Sequence, residues 1–312
     1  MEHDKIKRGS YLRKPRWLYS KIEGGEKFSF VEKTVEENGL HTICSSGKCP
    51  NKGHCWKCGT ATFMILGDRC TRACRFCATL TGRPLPPEPK EPEKVAHSIQ
   101  LMKLKHCVIT SVDRDDLPDK GAGHWAATIR AIRAANPDVV IEVLIPDYRG
   151  EELRTVLEAR PDIVGHNLET VRRLTPSIRS RATYENSLGV LQEVATAGFL
   201  AKTGIMLGLG ETPEEDILFG LRNMRLPRQE INQRLHDTLA CCGLTEKKDF
   251  PARLLSGGEK RRLAVAGILS MKREIIIFDE PFANLDFPGV QQVCAILREL
   301  KTGGITVIVL TH

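Results

Sequence analysis

The chain has 312 residues, with 46 Lys+Arg against 39 Asp+Glu and a formal net charge of +7. This scattered excess suits an acidic protein partner and forms no basic stripe for nucleic acid. The 11 cysteines are too few per residue for a disulfide scaffold, and no apolar run approaches the roughly 18 residues of a membrane helix.

Residues 1 to about 40 are basic and polar, with Lys14-Pro-Arg-Trp-Leu18 the one distinctive piece. The start, Met1-Glu-His-Asp-Lys-Ile-Lys7, lacks an apolar core and reads as no signal peptide. A cytoplasmic location is therefore expected. Seven cysteines crowd between Cys44 and Cys77, which suits metal or cluster ligation in a reducing compartment. Cys44, Cys49 and Cys55 are spaced C-x4-C-x5-C; Cys70, Cys74 and Cys77 are spaced C-x3-C-x2-C. The second set converges only if its loop curls around a common centre. Three thiolates can hold three irons of a four-iron cluster and leave one iron open to a small chelating molecule. On spacing alone a zinc knuckle also fits, with Cys58 as a fourth ligand.

From Thr60 the pattern alternates. Apolar runs at 61–66, 107–112, 139–145, 162–164 and 201–207 read as strands. Helical periodicity fills 93–103, 125–135, 151–158 and 184–197. Strand–helix repetition at this spacing predicts parallel strands with crossover helices. Functional residues then belong at the C-terminal strand ends, and the Cys70–Cys77 loop follows the first strand. Asp113, Asp115 and Asp116 around Arg114 read as a satisfied loop network rather than a metal site. His41, His54 and His106 read as surface or loop residues with no partner motif.

Both cysteine sets, in the run CPN…CW…GTATFMILGD-x-CTR-x-CRFC, resemble lipoyl synthases of the radical S-adenosylmethionine (SAM) class. So do Lys14–Leu18 (KP-x-WL) and the strand ends ITSVDRDDLPD, LIPD-x-RG, HNLET and GLGET. The resemblance covers residues 14 to about 220 and departs at Lys120, where the family usually has a small residue, with little effect expected. Cys58 matches no family ligand and reads as a bystander. The resemblance implies a partial (β/α) barrel of the radical SAM type. It implies that Cys70, Cys74 and Cys77 hold the [4Fe-4S] cluster that reduces SAM to a 5′-deoxyadenosyl radical, which abstracts hydrogens from C6 and C8 of an octanoyl chain. Cys44, Cys49 and Cys55 would hold a second, sulfur-donating [4Fe-4S] cluster, and Asn167, Glu169 and Glu211 would help hold SAM or substrate. The implied partners are octanoylated lipoyl carrier domains (2-oxoacid dehydrogenase E2 subunits, glycine cleavage H protein) and an electron donor such as flavodoxin or ferredoxin.

After Thr212 the family pattern stops. Its sixth strand and Arg-Ser-Ser-Tyr tail, whose serine ligates the second cluster, do not follow; Arg179-Ser180-Arg181 lies too early to be that tail. From about Leu226 the sequence resembles the C-terminal half of ABC-transporter ATPases. Ser256, Gly257 and Gly258 match the signature loop, and Asp279 and Glu280 match the Walker B carboxylates for Mg²⁺ and water. Asn284-Leu-Asp286 matches the D-loop and His312 the switch histidine. No G-x-x-x-x-G-K-[ST] phosphate loop occurs in the 312 residues.

The expected fold class is therefore α/β: a partial barrel truncated after its fifth strand, then an ABC ATPase fragment. The expected domains are 1–225, with 1–58 an N-terminal extension carrying the second cysteine set, and 226–312. A radical SAM sulfurtransferase, impaired by the missing C-terminus, is the leading expectation; an ATP-hydrolysing transporter subunit and an inert chimeric product are the alternatives.

Overall fold

The computed structural model describes residues 26–37, 39–46, 49, 52–57, 60–224, 226–282, 285 and 287–310. Lys14–Leu18, Cys58, Asn284, Asp286 and His312 lie outside the described residues. The described residues form two compact units, one running to Lys272 and one from Arg273 onward.

The larger unit opens with α1 (Glu26–Glu37), β1 (His41–Thr42), α2 (Ile43–Ser46) and α3 (Lys52–Lys57). Then come β2 (Thr60–Ile65), the two-residue strands β3 (Arg69–Cys70) and β4 (Leu80–Thr81), α4 (Glu91–Met102), β5 (His106–Ser111) and α5 (Ala122–Ala135). They are followed by β6 (Val140–Leu144), α6 (Glu151–Glu158), β7 (Ile163–Gly165), α7 (Thr175–Ile178), α8 (Tyr184–Thr196) and β8 (Leu200–Lys202). The unit closes with α9 (Pro213–Asn223), α10 (Arg228–Cys241) and α11 (Gly257–Leu269).

The six-stranded sheet has the order β1-β2-β5-β6-β7-β8. β1 runs antiparallel to β2, and the other pairings are parallel. This mostly parallel α/β sheet is consistent with a partial radical SAM fold. Register puts Phe63, Ile109 and Val143 in one row and Thr62, Val108 and Glu142 in the next. The first row is fully buried in a core shared with α4 and α5, whose Ile99, Trp125 and Ile129 are equally buried. Trp125, Ile129 and Ile132 recur at helical spacing, so α5 turns one stripe onto the sheet.

The five parallel strands stand where the alternation places them. The fifth is shorter than its apolar run: after Lys202 the chain leaves the ladder, and Gly204 presents its carbonyl to the amides of Leu168 and Glu169, each at 3.1 Å. Two local readings change. His106 is the first residue of β5, and its Nε2 lies 3.2 Å from the buried Glu142 carboxylate of the next strand without a hydrogen bond to the described residues. Lys120 has φ +52°, a left-handed conformation costing a non-glycine residue about 1–2 kcal/mol.

α9 starts with a reciprocal capping box between Thr212 and Glu215. Its Ile217 and Leu221 are buried with Leu239, Leu244, Leu255 and Leu263, so α9, α10 and α11 share one core. In the smaller unit β9 (Ile275–Asp279) and β10 (Thr306–Leu310) pair in parallel, joined by α12 (Phe287–Thr302). Among the described residues no helix is long and apolar enough to cross a membrane.

Candidate active site

The site begins where β2 ends. Leu66 has φ +69°, and both its backbone polar groups are held by buried charges. Its amide donates to the Glu91 carboxylate at 2.9 Å, and its carbonyl accepts from Arg114 at 3.2 Å. Gly121 must be glycine here, since a Cβ would sit 2.7 Å from the Leu66 side chain. Backbone strain of this kind gathers at functional sites, and this bend launches the cysteine loop.

Cys70 is buried, Cys74 half-buried and Cys77 exposed. The Cys70 sulfur accepts the amides of Arg72 at 3.4 Å and Asp113 at 3.3 Å. Burial pushes the Cys70 thiol up, while those two amides pull it back. The Cys77 amide donates to the Cys74 carbonyl at 3.1 Å, curling the loop. The Ser180 hydroxyl accepts the Ala73 amide at 3.2 Å and lies 3.8 Å from the Cys74 sulfur.

Arg72, between the first two cysteines, is the loop's anchor. Its guanidinium forks onto Asp115, with both bonds at 2.8 Å, and reaches Asp147 at 2.6 Å and Asp113 at 3.4 Å. One side chain thus ties the loop to the ends of β5 and β6, and the Asp115 carboxyl is held below the usual range, chiefly by that hydrogen bond. Asp116 pairs instead with Arg114 at 2.8 Å. The aspartate network is satisfied as the loop reading expects, but it is shared among Arg72 of the cysteine loop, Arg114 and the more exposed Arg181, which lies 3.5 Å from Asp115.

At the end of β7, Asn167 and Glu169 stand next to Arg179, which donates to the Asn167 carbonyl at 2.9 Å and the Ser187 hydroxyl at 3.0 Å. His166 lies behind them, fully enclosed. The Ile145 carbonyl can only accept, so His166 Nδ1 carries the proton toward it at 2.9 Å, and Nε2 accepts from the Ser187 hydroxyl at 2.9 Å. Burial holds this ring neutral, pushing its pKa down to about 4. Glu169 has φ +66°, and burial pushes its carboxyl up. Glu211 is buried in the turn before α9, where its carboxylate accepts the Gly208 amide and its second oxygen has no hydrogen-bond partner among the described residues.

The second cysteine set lies in α2, α3 and between them. Cys44 is buried, Cys49 exposed and Cys55 half-buried, and the Cys49 amide donates to the Cys44 carbonyl at 3.1 Å. α3 is pinned by Trp56 stacked on Phe28 with centroids 5.5 Å apart. Among the described residues no three His, Cys, Asp or Glu converge closely enough to hold a single metal ion. What fits a cluster ligand is the Cys70 sulfur, with two amides aimed at it as a thiolate requires.

Three of the residues that build this site were missed from sequence: Arg72, Asp147 and Ser180. Arg72 was readable as an arginine inside a cysteine triplet; its partners 43 and 75 residues away were not.

Residues 64–219 match the radical SAM superfamily. A buried cysteine at the end of the first parallel strand, with the other strand ends gathered around its loop, thus belongs to a radical SAM enzyme. The lipoyl synthase of Parabacteroides distasonis is 59% identical over 207 residues, covering 66% of this chain and 74% of that protein. Lipoyl synthases of Porphyromonas gingivalis W83 (61% over 208 residues; 66% and 74% covered) and Treponema denticola (52% over 231; 73% and 80%) are similarly close. The chain belongs to the lipoyl synthase family: over that part it is a radical SAM, sulfur-inserting enzyme of a class that uses SAM and [4Fe-4S] clusters and acts on lipoyl carrier proteins. Among solved structures, cbiO1 from Clostridium perfringens, titled part of the ABC transporter complex cbiONQ, matches with 27% identity over 54% of this chain and 53% of its own. Its TM-score is 0.32, too low to carry an argument.

Proposed function

We propose that Cys70, Cys74 and Cys77 hold the SAM-binding cluster, that Cys44, Cys49 and Cys55 hold the auxiliary cluster, and that Asn167, Glu169 and Glu211 contact SAM or substrate. The bound groups supply the radical chemistry and the sulfur that convert C6 and C8 of a protein-bound octanoyl-lysine into lipoyl. The chain's own residues do the rest. Arg72 fixes the loop's orientation against two strands, the Arg72 and Asp113 amides stabilise the buried sulfur, and neutral His166 orients Ser187 and through it Arg179. The observation that carries this reading is the Cys70 sulfur under two amides, at the strand end where Arg72 gathers three carboxylates.

The acceptors of sulfur are octanoylated E2 subunits and H protein, and electrons come from a flavodoxin or ferredoxin in the cytoplasm. Residues 226–312 derive from an ABC-type ATPase and are joined to residues 1–225 near Glu214–Arg228. Ser256 supports this locally: its hydroxyl accepts the Glu259 amide at 3.3 Å, capping α11 as a signature-loop serine caps its helix.

Anaerobic reconstitution tests the site. The full chain is expected to bind about eight irons, and replacing Cys70, Cys74 and Cys77 by Ala should leave about four and abolish 5′-deoxyadenosine formation. Zinc instead of iron in that preparation would overturn the assignment. Mass spectrometry of an octanoylated carrier domain then reads lipoyl formation directly.

A further inference from the structure

We infer that residues 226–272 act as a cap that positions the Glu211 turn, so that SAM binding depends on a segment whose sequence resembles another family. The inference rests on the reading that Glu211 contacts SAM or substrate.

Burial is the first support. The Ile217–Leu221 stripe of α9 has no exposed surface, and its cover is Leu239, Leu244, Leu255 and Leu263. Burying apolar side chains of this size away from water holds the two segments together. The second support is a crossed pair of backbone hydrogen bonds on either side of Thr212. The Ala252 amide donates to the Glu211 carbonyl at 2.7 Å, and the Glu214 amide donates to the Lys248 carbonyl at 3.1 Å. The turn is therefore held from the outside at both of its shoulders. The third support is fit. A Cβ at Gly220 would sit 2.8 Å from the Met271 sulfur and 3.0 Å from its Cγ, so Met271 would have to shift and the cap packs closely on α9.

The functional consequence follows from what the turn presents. Glu211 spends one carboxylate oxygen on the Gly208 amide, and its other oxygen is buried without a hydrogen-bond partner among the described residues. A buried, unpaired carboxylate oxygen is costly unless a donor reaches it. The ammonium or ribose hydroxyls of SAM are donors of the right kind. Loosening the cap frees the turn and lets Glu211 swing away from that task.

The test uses the full chain. Ala252→Pro removes the amide that holds the Glu211 carbonyl. Gly220→Ala wedges α9 from Met271, and Gly220→Ala with Met271→Ala restores the fit. Expected for Ala252→Pro and Gly220→Ala is at least a roughly tenfold weaker Kd for SAM on the reconstituted protein, about 1.4 kcal/mol. Iron content and the EPR spectrum of the reduced cluster without SAM should stay unchanged. Metal-free protein should show faster hydrogen exchange over residues 208–214, and the double variant should recover both properties. Glu211→Gln is the control for the underlying reading. If Glu211→Gln weakens SAM binding while the cap variants do not, the cap inference is wrong. If Glu211→Gln is itself silent, the Glu211 assignment falls, and the cap is overturned as well should exchange over 208–214 stay slow. A non-folding Ala252→Pro leaves the Gly220 and Met271 pair to decide.

Discussion

The two sheets are built from similar strands and end differently. In the larger unit the parallel strands carry helices on one face, and Phe63, Ile109 and Ile141 have no exposed surface. In the smaller unit β9 buries Ile276 and Phe278, but Ile275 and Ile277 are each 61% exposed. Parallel strands are stable where both faces are covered. An apolar run resembling a nucleotide-binding strand is therefore not yet a folded domain; its neighbours decide that. Residues 226–272 make the same point in reverse, because they acquire a core by packing on α9.

The largest effect is expected at Arg72. Arg72→Leu leaves Asp113, Asp115 and Asp147 without their buried cation, and is expected to cost about 3–5 kcal/mol in chemical denaturation. A loss below 1 kcal/mol would mean that the carboxylates are solvated and the anchor is not one.

Paired truncations sharpen the contrast between the sheets. Ile141→Ala should cost about 2–5 kcal/mol, and Ile277→Ala no more than about 0.5 kcal/mol. Equal losses in the two would show that the outer face of β9 is covered in solution.

Asp216 probes the α9 core by pH. Burial, then the charges of Glu211 and Glu215, push its carboxyl up to about 9. The folded state thus keeps a proton that the unfolded chain releases near pH 4. The stability this proton confers is complete below pH 4 and is lost as pH rises toward 9. Asp216→Asn should remove that slope and stabilise the protein by roughly 2–4 kcal/mol at pH 7. Parallel pH–stability curves for the two proteins would show that Asp216 is ionised when folded.

The smallest effect is expected at Glu280. Glu280→Gln should leave both 5′-deoxyadenosine formation and background ATP hydrolysis unchanged. A turnover of ATP that vanishes in this variant would reveal a working nucleotide site.

The class of chemistry was readable from the chain because it depends on local spacing. C-x3-C-x2-C can curl around one centre whatever surrounds it, and alternating apolar runs separated by helical stretches require parallel strands. Asn167, Glu169 and Glu211 were singled out by the resemblance of their strand-end segments, and their contact with SAM or substrate remains a proposal. Arg72 reaching Asp147 and Ser180 meeting the Cys74 loop were not legible, since nothing local ties such distant partners together. The approach of His106 to Glu142 was not legible either, because Glu142 is contributed by another strand. The sequence by itself thus determined the two cysteine spacings, the parallel strands and the place in the chain where one resemblance stops and another starts. Only the tertiary structure decided that the compact unit runs on to Lys272. Burial and backbone hydrogen bonding act on surfaces that meet in space, and α9 is covered by whichever apolar segment fits it, here one that packs closely at Gly220.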